Sequence, residues 1–140
     1  MSNVSEIRPG LKGMAEITVG EVHTAPHVGS GRVHVLATPV MVNLMEAAAL
    51  QAVEGLLPAG RQTVGTHLDI THTAATPVGM RVRAYAEVTK VETRSLTFSV
   101  YAEDEKERIG GGVHERIVIN LERFDIRLQE KLKLVVKRQG

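Results

Sequence analysis

Thr38-Pro39-Val40-Met41-Val42-Asn43-Leu44-Met45-Glu46-Ala47-Ala48-Ala49-Leu50-Gln51-Ala52-Val53 is the stretch on which the fold turns. Thr38 suits an N-cap and Pro39 the first helical position. Pro58-Ala59-Gly60 stops the run at about Leu57. Apolar side chains cover most of the circumference, and a helix apolar nearly all round is buried. The pattern predicts one long central helix wrapped by something else.

That something reads as a sheet. In residues 14–22, Ala15, Ile17 and Val19 alternate with Glu16, Thr18 and Gly20. Residues 64–73 read as a strand running into the loop Ala74-Ala75-Thr76-Pro77. Residues 81–91 alternate again, Glu92-Thr93-Arg94 turns the chain, and residues 95–102 put Leu96, Phe98 and Val100 on one face. A polar turn at residues 104–107 leads to a strand at 112–120. Connections this short force antiparallel neighbours. Residues 23–35 read as a loop around Gly29-Ser30-Gly31. Residues 121–137 set Leu121, Phe124, Leu128, Leu132 and Val135 at helical spacing, a surface helix with one apolar stripe. The expected class is α+β: a hotdog fold, with a curved antiparallel sheet around one long central helix and an additional C-terminal helix. With no repeat or linker, residues 1–140 read as a single domain.

Composition narrows the function. Apolar residues make up 43% of the chain but aromatics only 3%, so the core is built from aliphatic side chains, which favours burying further surface in an oligomer. A net charge of +1 carries no electrostatic footprint for nucleic acid. The absence of cysteine excludes disulfides, thiolate metal sites and a cysteine nucleophile. No stretch approaches the ~18 apolar residues that span a bilayer, and the first ten residues lack the apolar core of a secretory leader. A cytoplasmic protein with no membrane or nucleic-acid partner is expected.

Four residues stand out for chemistry. Glu46, on a buried helix, suits a general base, although with Asn43, Gln51 and Glu54 it also fits the edge of a wetted stripe. His72, at a strand end beside a loop, faces a cleft or bonds nearby backbone. Thr38 caps the helix, whose N-terminal N–H groups and dipole also suit an acyl carbonyl and the oxyanion formed from it. Gly65, early in a strand, marks a bulge or a close approach of ligand to backbone. Hydroxyl, carboxylate, imidazole and glycine backbone suffice for acyl transfer if the fold brings them to one point. His67 and Asp69 share a strand face that His72 does not, which argues against a metal site. No cofactor is expected. His23, His27, His34 and His114 take no role, and Glu115-Arg116 reads as an exposed charge pair.

The motifs Ala37-Thr38-x-x-Met41-Val42-x-Leu44-Met45-Glu46, Gly65-Thr66, Thr71-His72-Thr73-Ala74-Ala75-Thr76-Pro77-x-Gly79 and His114-Glu115-Arg116-x-Val118-Ile119-x-Leu121-Glu122-x-Phe124 keep a familiar order and spacing. On them the chain resembles the fluoroacetyl-CoA thioesterase-like group of hotdog proteins, over nearly its whole length after about residue 8. The resemblance implies that Thr38, Glu46 and His72 form a catalytic set and that the Gly65 backbone meets the acyl carbonyl. It also implies hydrolysis of a short-chain acyl-CoA by a homodimer, or a dimer of dimers, with sites at the subunit interface. In that scheme Glu46 attacks the carbonyl or activates water, Thr38 bonds Glu46 or the oxyanion, and His72 shuttles the proton. One departure stands out. The fluoroacetyl-specific member carries an aromatic lid before the helix, whereas the shorter stretch here, residues 28–34, holds no aromatic, so a different short acyl group is expected. The rival readings are a hotdog enoyl-CoA hydratase, whose Asp/His motif is missing, and an acyl-CoA-binding protein without turnover. For the CoA tail, scattered basic residues such as Arg81, Arg83 and Arg94 are all candidates, and none stands out.

Overall fold

In the computed structural model, residues 6–139 are described. Residues 1–5, half of the stretch read against a secretory leader, lie outside them. Five strands, β1 (Lys12–Thr18), β2 (Arg61–His72), β3 (Arg81–Glu92), β4 (Ser95–Asp104) and β5 (Arg108–Asn120), form one antiparallel sheet. Its order is β1-β3-β4-β5-β2. The helices are α1 (Ala25–Val28), α2 (Thr38–Val53) and α3 (Leu121–Gln139). None is long and apolar enough to cross a membrane.

Period-two alternation decides which face is which. Val82, Ala84, Ala86 and Val88 of β3 and Leu96, Phe98, Val100 and Ala102 of β4 are buried against α2, while their neighbours face outward. Among the outward residues Tyr85 and Tyr101 are paired across β3 and β4, with ring centroids 4.8 Å apart. From α2, Met41, Leu44, Met45, Ala48, Ala49 and Val53 complete the core. The helix lies chiefly over β1 and β3. Small residues set that approach: a Cβ on Gly13 of β1 would sit 2.6 Å from the Ala52 nitrogen.

The hotdog arrangement is therefore present, with four differences of detail. First, α2 is buried on one side only. Asn43, Ala47 and Gln51 are exposed, so the sheet curls over the helix without enclosing it. Second, the cap of α2 is Ala37, and Thr38 is the first helical residue with no capping bond; its hydroxyl is engaged elsewhere. Third, β5 begins at Arg108, because pairing with β2 and β4 keeps Gly110, Gly111 and Gly112 extended. Fourth, residues 23–35 include α1 and overlap a 3-10 turn at Glu21–His23. Helix α3 runs on the surface as expected, but its stripe is uncovered: Leu132 is 57% exposed.

Strand β2 is the unpaired edge on one side of the sheet. Residues 65–69 are all exposed, Leu68 to 41%. From the register, Leu68, Ile70 and His72 lie opposite His114, Gly112 and Gly110, and so share the helix-side face with Gly65, which lies opposite Arg116.

Candidate active site

Two clusters line this helix-side face. The first sits at the start of α2. The Leu36 N–H donates to the Thr76 carbonyl (2.9 Å), and the Ala37 N–H donates to the His23 carbonyl (2.9 Å). These bonds bring the entry to α2 against the end of β2. Thr38 Oγ1 then lies 2.7 Å from His72 Nδ1, in a bond whose donor depends on the imidazole tautomer. His72 Nε2 is buried and has no partner among the described residues. Burial pushes the His72 pKa below its ordinary value, against a smaller opposite pull from the Ala74 backbone. The imidazole is therefore neutral at pH 7 and free to take or give a proton. A cavity of about 280 Å³ opens on the pair, lined also by Ala25, Ser30, Leu36 and Ala74.

The second cluster surrounds Glu46. Its Oε2 accepts from Arg116 Nη1 at 3.2 Å. Arg116 is buried, and three further bonds fix its guanidinium. Nε donates to Thr63 Oγ1 (2.9 Å), Nη2 to the Thr63 carbonyl (3.2 Å), and Nη1 also meets His114 Nε2 at 3.1 Å. The tautomer of His114 follows from its other nitrogen. Nδ1 is 2.9 Å from the His67 carbonyl, which only accepts, so Nδ1 carries the hydrogen and Nε2 is the acceptor for Arg116. Burial, and then the Arg116 charge, hold the His114 pKa below its ordinary value. Burial also lowers the pKa of Arg116, opposed by Glu46, but the guanidinium stays charged.

The Glu46 side chain remains 36% exposed, so one carboxylate stands fixed yet open to a substrate. Gly65 makes room for it: a Cβ there would lie 2.7 Å from Glu46 Oε2 and 3.2 Å from His114 Cε1. The register also slips between Gly65 and His67. The bulge anticipated for this glycine occurs, and the group that stands close to it is the chain's own carboxylate.

Thr38 and His72 thus meet, and Glu46 and Gly65 meet, but the two pairs are separate. Glu46 is eight residues beyond Thr38, or ~12 Å along the helix axis, and bonds to neither Thr38 nor His72. His114 and Arg116 correct the sequence reading. Neither is solvated: both are buried and form the support of Glu46. The signal was the alternation of β5, since His114 and Arg116 are in phase with buried Val118. It was masked by the run Ile117-Val118-Ile119, which is apolar at both phases.

The same fold recurs in known proteins. Residues 19–122 match the family described as FlK, fluoroacetyl-CoA-specific thioesterase. The chain is 45% identical over 97 residues to the fluoroacetyl-CoA thioesterase of Streptantibioticus cattleyicolor, covering 69% of this chain and 70% of that one. A solved structure of the fluoroacetyl-CoA thioesterase FlK superposes with a TM-score of 0.84 at 37% identity, covering 89% of this chain and 97% of that one. A thioesterase-superfamily protein of Thermus thermophilus does so with a TM-score of 0.83 at 29% identity, over 91% of this chain and 97% of that one.

Proposed function

The chain belongs to the fluoroacetyl-CoA-specific thioesterase family, and from that premise we propose that it hydrolyses a short-chain acyl-CoA thioester to the free acid and CoA. It does so as one hotdog thioesterase-like domain, residues 1–140, assembled into a homodimer. Each active site combines Glu46 and the Gly65 backbone of one subunit with Thr38 and His72 of the other. The proposed setting is the cytoplasm, on the ground of the substrate class.

The observation that carries this reading is the division of the set into two clusters on one face of an open sheet edge. Two copies of β2 pairing antiparallel about a two-fold axis at Asp69 would bring each Gly65 opposite the partner subunit's His72, because the bulge between Gly65 and His67 takes up one residue of the register. In an antiparallel pair, facing residues share a side of the sheet, so both would project toward the helices. That pairing also caps an exposed edge, which is otherwise a liability, and covers Leu68.

The chemistry follows from the groups in hand. The acyl carbonyl lies against the Gly65 backbone. Glu46, held by Arg116 yet open to solvent, attacks the carbonyl carbon or takes a proton from the attacking water. Thr38 bonds the oxyanion, with the N-terminal dipole of α2 behind it. His72, neutral at rest, takes up the proton released by the water, directly or by way of Glu46, and passes it to the CoA thiolate. Where Glu46 is the nucleophile, that water cleaves the Glu46–acyl anhydride, releasing the acid and restoring the carboxylate. The acyl group is short, and residues 28–34 contribute no aromatic cover over it.

The test is thiol release from a panel of short acyl-CoA esters, with Glu46→Ala and His72→Ala measured alone and then mixed. Each variant alone should lose ~100-fold or more in turnover, the scale of a positioned acid or base. If subunits exchange, a 1:1 mixture should recover about a quarter of wild-type activity, because half the dimers then hold one intact composite site. Mixed dimers that form but stay inactive would place each site within a single chain. Wild-type turnover by Glu46→Ala would remove the carboxylate from the reaction.

A further inference from the structure

At the end of the sheet where β2 begins, β5 gives way to α3, and the β3–β4 turn closes, four arginines come together. Arg61, Arg94, Arg123 and Arg127 line a cavity of about 130 Å³ with Ile117, Ile119, Asn120 and Phe124. Arg61, Arg94 and Arg123 also line a neighbouring one of about 240 Å³. No carboxylate lines either cavity. Among the described residues none of the four forms an ion pair, and none donates a side-chain hydrogen bond. Arg81 and Arg83 differ. They line a cavity with Glu103, Asp104 and Glu105, and Arg83 is paired with Glu16. A guanidinium fork free of carboxylates is suited to bidentate recognition of phosphate. One already neutralised is not.

Taking the proposed acyl-CoA hydrolysis as its basis, we infer that the Arg61–Arg94–Arg123–Arg127 cluster binds the phosphate groups at the nucleotide end of CoA. The spacing fits the ligand. Arg61 and Gly65 both belong to β2, four residues apart, or ~13 Å along an extended strand. From the register Arg61, opposite Asn120, shares the helix-side face with Gly65, opposite Arg116. At the end of the sheet Arg61 meets Arg94, Arg123 and Arg127, which line the cavity with the outward Ile117 and Ile119. The pantetheine arm, from thioester sulfur to first phosphate, has the backbone length of little more than four extended residues, ~15 Å. With its carbonyl at Gly65 and its arm along β2, an acyl-CoA delivers its phosphates to the arginines.

The experiment compares an acyl-CoA with the matching acyl-pantetheine thioester, which has no phosphates, on wild type, Arg94→Gln and Arg123→Gln. Calorimetric titration with CoA, dephospho-CoA and inorganic phosphate accompanies the kinetics. Each variant should raise KM for acyl-CoA ~10-fold, the scale of one charge-assisted contact, with kcat unmoved and acyl-pantetheine kinetics unchanged. CoA should bind wild type more tightly than dephospho-CoA does, and inorganic phosphate far more weakly than either. Equal loss on both thioesters, or none on either, overturns the phosphate site while leaving the hydrolase intact. No thiol release from either thioester overturns the hydrolase. The titration then decides the arginines alone: CoA affinity unchanged in both variants rejects them, and affinity lost in both retains them.

Discussion

The two ends of one stretch of α2 are built in opposite ways. At its start, Thr38 and His72 hold each other by a single 2.7 Å bond, and the second ring nitrogen is left without a partner. Eight residues on, Glu46 is held by a guanidinium that makes three further bonds and rests on a histidine of fixed tautomer. A proton shuttle has to change partners during turnover, so a loosely held imidazole suits it. A base or nucleophile gains from being held in one place, because fixed orientation removes entropy from the barrier. The contrast also separates two origins of geometry. The first cluster is made by the entry to one helix and the end of one strand. The second needs β5 and β2 in register.

The largest effect should come from the support of Glu46. Arg116→Met leaves the Thr63 and His114 acceptors unpaired and frees the carboxylate. It should lower stability by about 2 kcal/mol, read as a shift of the denaturant midpoint, and turnover by ~100-fold. A variant that kept both would show that the second cluster is no tighter than the first, and the contrast would collapse. Gly65→Ala is a finer probe. Its Cβ meets the flexible end of Glu46, so stability should change by less than ~1 kcal/mol while turnover falls ~10-fold. Equal loss in both quantities would mean that the glycine serves folding and not the carboxylate.

The smallest effect is a pH dependence. His72 and His114 both have folded pKa values below the ordinary 6.5. As pH falls below about 6.5 the unfolded chain takes up protons that the folded chain resists, so stability present above that value declines. It stops declining on this account once the folded-state values are passed. The midpoint of urea unfolding, followed from pH 7.5 to 5, should drop. A flat profile would mean that neither imidazole is kept neutral by the fold.

Much of this was legible in the sequence, and the reason differs by element. The central helix, the antiparallel order and the C-terminal helix followed from local periodicity and short turns. The edges of elements were less readable. The Thr38-Pro39 pair advertises a cap at threonine, yet the hydroxyl has a tertiary partner in His72 and the helix starts one residue early. Three consecutive glycines concealed the first turn of β5, because only pairing on both sides holds them extended. In the site, Thr38, Glu46, Gly65 and His72 stood out as residue types in suggestive places. Arg116 did not. An arginine beside a glutamate reads as a solvated pair until it is known that β2 lies opposite and that Thr63, His114 and Glu46 surround it.

The stacked tyrosines on the outer face of the sheet bear on how these experiments can be read. The chain has no tryptophan and no other tyrosine, so its intrinsic ultraviolet emission comes from one spot on β3 and β4. That spot faces away from α2 and from both clusters. Emission therefore registers loss of the sheet as a whole and stays silent while Glu46 or His72 rearranges. A substrate that quenches nothing has not thereby failed to bind. A single tryptophan introduced within residues 28–34, beside the Thr38–His72 cavity, would supply the missing optical reporter.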